Sequence, residues 1–100
     1  MLHATNEMEG AALDWAVAKC EGREYDGTWI ENFSSNWLLC GPIIEREGIT
    51  LELQRERLWE GRVFVGLWFF ATASTPLIAA MRCYVASKLG NEVEIPEELK

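Results

Sequence analysis

The sequence predicts an α+β domain in which a small antiparallel sheet carries one N-terminal and one C-terminal helix. Apolar residues recur with the period of a helix near both ends of the chain. Between them lie two strand-like segments whose connections are too short for helical crossovers, which favours antiparallel pairing. With 100 residues the chain has the size of one domain with one core, so we expect residues 1–100 to form a single domain.

The first helix is predicted over Gly10–Cys20. Gly22 follows it and can end it, because glycine adopts the left-handed conformation without a Cβ penalty. Residues 1–9 are expected to be a flexible tail. Four apolar residues spaced i, i+3, i+4 and i+7 form one stripe of this helix: Leu13, Ala16, Val17 and Cys20.

Residues 23–42 contain turn signals at Asp26-Gly27 and at 34–36. Two short extended pieces are predicted beside them, at 28–33 and 37–40. Gly41-Pro42 is interpreted as a further turn, because proline cannot donate to the ladder of a central strand. A short extended piece is expected at 43–46.

Residues 49–54 alternate apolar and polar side chains, which predicts a half-buried strand with its odd-numbered residues inward. Residues 55–61 are charged and are predicted to form a connection. Residues 63–70 are apolar on both faces and predict a second, more deeply buried strand. Gly66 within it indicates a bulge or a close backbone approach.

The sequence contains signals for both the start and the end of the last helix. Thr75 can cap it, and Pro76 suits the first helical position, where a missing N–H costs nothing. An apolar pattern of helical period then runs to Gly90, which ends the helix. Residues 91–100 are expected to be an acidic, solvated tail.

Composition excludes several classes of partner. Nine Lys and Arg against sixteen Asp and Glu give a net charge of −7 and a sequence pI of about 4.6, the wrong sign for general nucleic-acid binding. No apolar run approaches the roughly 20 residues that span a bilayer. Residues 1–10 lack the pattern of a secretory signal. We therefore expect no nucleic-acid or membrane partner and a cytoplasmic location.

The sequence favours binding over catalysis. His3 is the single histidine, so the usual nucleophile–base pairs lack their base. No Cys-x-x-Cys, EF-hand or phosphate-loop motif occurs, so we assign no metal, no cofactor and no catalytic residue. The three cysteines are odd in number and widely spaced, which indicates free, buried thiols: Cys20, Cys40 and Cys83.

Five tryptophans in 100 residues are the most unusual feature of the composition. Trp68 is expected in the core, and Trp15 can cover the sheet. Trp29, Trp37 and Trp59 lie near turns, where an indole can offer its ring to a partner. Such rings suit subunit interfaces and planar ligands such as nucleobases, although packing in the core or in a dimer is the commoner explanation for each of them.

Polar residues near these rings complete a candidate ligand site. Ser35 and Asn36 precede Trp37 and can hydrogen-bond a ligand. Arg46 can grip a phosphate with two N–H groups, or form an ordinary surface ion pair. The helix start at Thr75 can hold a phosphate or can simply be capped. Arg82 can contribute charge or be solvated. The predicted ligand-binding residues are Trp29, Ser35, Asn36, Trp37, Arg46, Thr75 and Arg82.

Three segments resemble the NinX family of tailed bacteriophages: 11–22 (AALDWAVAKCEG), 41–47 (GPIIERE) and 75–90 (TPLIAAMRCYVASKLG). The family pattern has Ser-Thr-Asp-Trp and then Gly-Gly-Pro where this chain has Ser34-Ser35-Asn36-Trp37 and Cys40-Gly41-Pro42. Asn36 keeps a hydrogen-bonding side chain but removes a charge. The resemblance implies a phage accessory protein made in the host bacterial cytoplasm.

This setting suggests a function by analogy. Small phage accessory proteins often disarm host defence, and one class forms homo-oligomers that sequester nucleotide immune signals such as cyclic ADP-ribose-type molecules. We therefore expect a non-enzymatic homo-oligomer that binds a small nucleotide-like ligand between protomers. One alternative is an acidic protein-binding inhibitor or DNA mimic that acts on a host nuclease or regulator. A third is a nucleotide-cleaving enzyme that uses Glu45, Glu47 or Asp26 with a metal.

Overall fold

The computed structural model describes residues 1–99. Within them the chain forms a two-stranded sheet of β1 and β5, a three-stranded antiparallel sheet in the order β2-β3-β4, and three α-helices. The α+β class and the antiparallel sheet with packed helices are therefore confirmed. In chain order the elements are β1 (Leu2–Ala4), α1 (Gly10–Cys20), α2 (Trp37–Glu47), β2 (Thr50–Arg55), β3 (Leu58–Phe64), β4 (Trp68–Ala73), α3 (Pro76–Leu89) and β5 (Glu92–Glu94).

The first and last helices lie where the sequence predicts them. α1 has the predicted bounds, and α3 begins at Pro76. The Thr75 hydroxyl accepts a hydrogen bond from the Ile78 N–H at 3.2 Å, which is the expected N-cap. Gly90 follows the last residue of α3. The local signals at these two helices thus agree with the tertiary fold.

The extended pieces predicted at 37–40 and 43–46 are wrong, and so is the turn at Gly41-Pro42, because all of them lie in α2. The Asn36 side chain caps this helix by accepting from the Leu38 N–H at 3.0 Å, and Gly48 ends it at a φ of 72°. Pro42 lies inside the helix. The cap, the glycine stop and the burial of Cys40 and Ile43 outweigh the one backbone hydrogen bond that proline removes.

No strand forms at 28–33 within the described residues, and a single-turn 3₁₀ helix follows at Phe33–Ser35 instead. The strand predicted at 49–54 is confirmed as β2, shifted by one residue. The predicted connection at 55–61 is wrong, because β3 already begins at Leu58 after a tight turn in which Arg57 has a φ of 59°.

The buried strand predicted at 63–70 is also wrong. A turn at 65–67 divides it, with Gly66 at a φ of 76°, so its two halves belong to β3 and β4. Trp68, expected in the core, is 55% exposed. Glycine is used here to reverse the chain, and the apolar residues around it end up on a hairpin.

The two chain ends, predicted to be tails, are paired with each other. β1 and β5 form an antiparallel ladder, and the Thr5 N–H donates to the Asn91 carbonyl at 2.8 Å. Met8 is buried in the core. Of the predicted acidic tail at 91–100, Lys100 lies outside the described residues.

α3 is the central element of the fold. It packs on one face of the β2-β3-β4 sheet and also contacts α1 and α2. Eight of its fourteen residues are buried, which explains why the helix is apolar on more than one side. Gly61 in β3 faces α3, since a Cβ built there would lie 2.9 Å from the Ala79 carbonyl oxygen. Alternation then directs Phe64 to the opposite face of the sheet.

Candidate functional site

The predicted site residues that come together do so in a groove at the start of α3. The groove has a volume of about 330 Å³, and we call it the Trp37 groove. Trp37 is 56% exposed at its wall. The Phe33–Ser35 turn, the start of α2 and the first turn of α3 provide the lining residues: Ser34, Ser35, Trp37, Thr75, Pro76, Leu77 and Ile78.

Hydrogen bonds among neighbouring residues fix the polar side of the Trp37 groove. The Ser34 N–H donates to the Asp14 carboxylate at 2.7 Å, which ties the turn to α1. Burial raises the pKa of Asp14, although the hydrogen bonds from Ser34 oppose this shift. The Asn36 amide is occupied as the cap of α2, and its N–H donates to the Asn32 side-chain oxygen at 3.3 Å. Asn36 therefore holds the groove in shape.

The start of α3 offers little to a phosphate. Pro76 has no N–H, and the Ile78 N–H is already bonded to the Thr75 hydroxyl. The Ala79 N–H donates to the Thr75 carbonyl at 3.1 Å. In the described first turn this leaves the Leu77 N–H, and neither Lys nor Arg lines the groove. The chemistry of the groove is that of an aromatic ring, an apolar floor and hydroxyl groups.

Arg46 lies outside the Trp37 groove, in a separate cluster of charged side chains. It forms ion pairs there, which is the second of the two roles that the sequence allows for it. Its guanidinium donates to both Glu21 carboxylate oxygens, at 2.7 and 3.2 Å, and to Glu47 at 2.8 Å. It also donates to the Tyr84 hydroxyl at 3.1 Å, and Lys88 pairs with Glu47 at 3.2 Å. This Arg46 cluster joins the end of α1 to α2 and α3.

The Arg46 cluster shifts the titration of its members. The hydrogen bonds from Arg46 hold the pKa values of Glu21 and Glu47 below their usual range. Burial and the neighbouring Glu21 carboxylate raise the pKa of Tyr84. The positive charge of the Arg46 guanidinium is therefore balanced by the Glu21 and Glu47 carboxylates of the same protomer.

Arg46→Gln is expected to destabilise the protein by about 1 kcal/mol at pH 7, because the partners are partly exposed and solvent screens the pairs. The lowered carboxyl pKa values mean that this stabilisation is complete above the unfolded-state pKa, about 4.3. It is lost as the pH falls through the folded-state values. Urea unfolding at pH 7 and pH 3 measures both effects, with the exposed Arg55→Gln as control. An equal loss at both pH values would contradict the assignment.

The other two predicted site residues lie elsewhere. Trp29 is 71% exposed and lines a different hollow, together with Tyr25 and Ile30. Arg82 donates to the Met8 carbonyl at 2.7 Å and to the Thr72 carbonyl at 2.8 Å, so it anchors the N-terminal segment to β4. The structure therefore brings together Ser35, Asn36, Trp37 and Thr75, and it separates Trp29, Arg46 and Arg82 from them.

Sequence reasoning missed a cluster of exposed aromatic rings on the outer face of the sheet. Phe64 and Trp68 meet edge to face with ring centroids 5.4 Å apart, and Trp68 stacks with Phe70 at 6.3 Å. Gly66 is the residue that could have indicated this hairpin. It lies near the middle of an apolar run, where a glycine is typical of a hairpin turn as well as of a bulge.

Two of the three carboxylates considered for metal-dependent catalysis, Asp26 and Glu47, are engaged in other contacts. Asp26 accepts from the Thr28 N–H and hydroxyl, and Glu47 is paired with Arg46 and Lys88. Among residues 1–99 we find no group of three or more His, Cys, Asp or Glu side chains placed to hold a metal ion. None of the helices described is long and apolar enough to cross a membrane.

Fold and site together define a small α+β domain with an open, aromatic-walled groove and an exposed aromatic sheet face. The chain belongs to the NinX family: the family model described as Bacteriophage P22, NinX matches residues 24–88, about two thirds of the chain. The matched region includes every residue that lines the Trp37 groove. The resemblance noted in the sequence is thereby confirmed. Comparison with the curated proteins gives no match.

Proposed function

We propose that this protein is a phage accessory protein that binds and sequesters a small nucleotide-like host immune signal, such as a cyclic ADP-ribose-type molecule, without catalysis. It acts in the host bacterial cytoplasm and withholds the signal from its receptor. The observation that carries the proposal is the Trp37 groove, where a half-exposed indole shares one hollow with the hydroxyl-bearing Ser35 and Thr75.

The lining of the groove suits a flat base. Stacking of a base on an aromatic side chain contributes about 1–3 kcal/mol and accepts any base, because every base has a π-face. Pro76, Leu77 and Ile78 supply the apolar contacts, and the hydroxyl groups can donate to or accept from polar base edges. A volume of about 330 Å³ is at the lower end for small-molecule sites, so it accommodates a base and its sugar better than a whole dinucleotide.

The charges around the groove refine this proposal. Arg46, the expected phosphate ligand, is neutralised by Glu21 and Glu47, and the chain carries a net charge of −7. A phosphate therefore gains little from this site, and the ligand is recognised through its base. Binding is then expected to depend weakly on salt and on the number of phosphates.

The location of the groove within the family match also supports the proposal. Its walls are built by residues 34–37, where the family pattern has Ser-Thr-Asp-Trp, and by the start of the segment 75–90 that carries the resemblance. These segments lie about 40 positions apart in the chain and meet through the packing of α2 and α3. Two segments that carry the family pattern thus line one surface groove. A ligand site at this groove is one explanation for that pattern.

The alternative of an acidic inhibitor or DNA mimic receives less support. A mimic needs unneutralised carboxylates spaced like phosphates, but six of the acidic side chains are ion-paired with arginine: Glu9, Glu21, Glu31, Glu47, Glu52 and Glu60.

Calorimetric titration with adenosine and with ADP-ribose tests the proposal. We expect both probes to bind with similar affinity, and Trp37→Ala to weaken binding at least tenfold because the stacking surface is lost. Trp29→Ala, which removes an even more exposed indole from a different hollow, is expected to leave the affinity unchanged. Mass spectrometry of molecules released from the purified protein by heat is expected to find a ligand that is chemically intact.

Two results would reject the proposal. One is an absence of binding of either probe together with no released ligand. The other is unchanged affinity in Trp37→Ala. A released molecule that is cleaved relative to the one supplied would instead identify an enzyme.

A further inference from the structure

Five large apolar side chains lie exposed around the β3–β4 hairpin, and we call this surface the aromatic face. They are between 42% and 61% exposed: Phe64, Val65, Leu67, Trp68 and Phe70. Three of them form one continuous ring cluster. A contiguous apolar patch of several hundred Å² is about the largest that a typical monomer exposes, and such a patch often marks an interaction site.

The strand register explains why these rings are exposed. Phe64 lies opposite Trp68, and Arg62 lies opposite Phe70, in the antiparallel pairing of β3 with β4. α3 covers the other face of this sheet, where Gly61 meets Ala79. Phe64, Trp68 and Phe70 therefore lie on the side of the sheet that faces away from the core, and Val65 and Leu67 flank them in the turn.

The charges beside the aromatic face are balanced within the protomer. Arg62 donates to Glu52 at 2.9 Å and to Glu60 at 2.7 Å. These carboxylates already have a cationic partner, so the surface does not select a basic protein by charge. A partner can cover the neighbouring rings without leaving an unpaired charge beside them.

The exposed area is that of half a small interface. From the exposed fractions and the usual size of these side chains, each copy presents roughly 500 Å² of apolar surface. Two copies facing each other would bury about 1,000 Å², the lower limit for a specific protein interface. Flanking polar residues would add to this area.

We propose that the aromatic face joins two copies of this chain into a homodimer, with the outer faces of their β2-β3-β4 sheets packed against each other. A two-fold interface uses the same patch on both subunits, which this face allows because it is an uncharged aromatic cluster. Packing of two sheets face to face is a standard way to bury one apolar face of each. This proposal is independent of the ligand in the Trp37 groove.

Analytical ultracentrifugation over a concentration series tests this proposal on the full chain. We expect wild-type protein to sediment at twice the 11.4 kDa chain mass at tens of micromolar. The double variant Trp68→Thr/Phe70→Thr keeps strand-forming residues and is expected to sediment as a monomer, with a dimer dissociation constant at least a hundredfold higher than that of the wild type. Leu53→Thr is the matched control, because Leu53 is 53% exposed on the other face of the same sheet.

Salt gives a second, independent readout. Each copy carries a charge of −7, so raising the salt screens their repulsion and is expected to strengthen the dimer. A basic host protein seated on the same face would instead bind more weakly as salt rises.

Three outcomes would overturn the proposal. They are a monomer at every concentration, a dimer that the double variant leaves intact, and a dimer that Leu53→Thr disrupts equally. A monomer that captures a basic partner would assign the face to that partner. Because the double variant does not alter the Trp37 groove, adenosine titration of it separates failure of this proposal from failure of the proposed function.

Discussion

Replacing Gly61 with valine is expected to destabilise the protein by about 3 kcal/mol, a change of more than a hundredfold in the folding equilibrium. A Cβ at this position would lie 2.9 Å from the Ala79 carbonyl oxygen and 3.3 Å from the Cys83 Cβ. The nearest atom belongs to the backbone of α3, so it cannot rotate away as a flexible side chain would. α3 must therefore move away from the sheet, and packing contacts between the two are lost.

Urea or thermal unfolding followed by circular dichroism measures this loss. For a domain of this size, 3 kcal/mol corresponds to a fall in Tm of about 15 °C. Gly41→Ala is the matched control: Gly41 lies inside α2 at a negative φ and has no atom within 4 Å of a built Cβ. It is expected to stabilise the protein by about 0.5–1 kcal/mol. Equal stabilities of Gly61→Val and wild type would mean that α3 does not pack as described.

Alkylation of the three cysteines at pH 8 is expected to be at least a hundredfold slower in the native protein than in urea. Burial raises the pKa values of Cys20, Cys40 and Cys83 to about 12, so almost no reactive thiolate is present at this pH. Cys40 and Cys83 are also inaccessible to the reagent. Their modification therefore requires opening of the core, whereas the partly exposed Cys20 is expected to react first.

Mass spectrometry of samples quenched over time after iodoacetamide addition measures these rates. Protein unfolded in urea at the same pH is the reference. Gly61→Val links this experiment to the previous one, since it should accelerate modification of Cys40 and Cys83 by the same factor by which it lowers the folding equilibrium constant. Native rates for these two thiols within tenfold of the unfolded rate would show that the core is not closed.

The helices α1 and α3 and the strand β2 follow from short-range patterns. A cap at Thr75, a proline at the first position and a glycine after the last turn define α3 without help from distant residues. β2 follows from the alternation of apolar and polar side chains. These signals are local, so reading them needs no knowledge of what packs against them.

The sequence predicts α2 and the β3–β4 hairpin wrongly, because each is an exception to a general local rule. Proline interrupts most helices, yet the helix around Pro42 is maintained by its Asn36 cap and its buried side chains. An unbroken apolar run usually indicates burial, yet Gly66 reverses the chain and exposes Trp68. In both cases contacts with other elements add to these local features, because Cys40 and Ile43 are buried in the core and β3 pairs with β4.

The sequence by itself determined the fold class, the family and the first and last helices. Only the tertiary structure decided which candidates share a surface: Trp37 meets Thr75, while Arg46 is neutralised by Glu21, 25 positions earlier. The reason is physical. Helix caps and alternation depend on neighbours within a few residues, but the charge that an arginine presents and the exposure of a ring depend on which distant elements pack beside them.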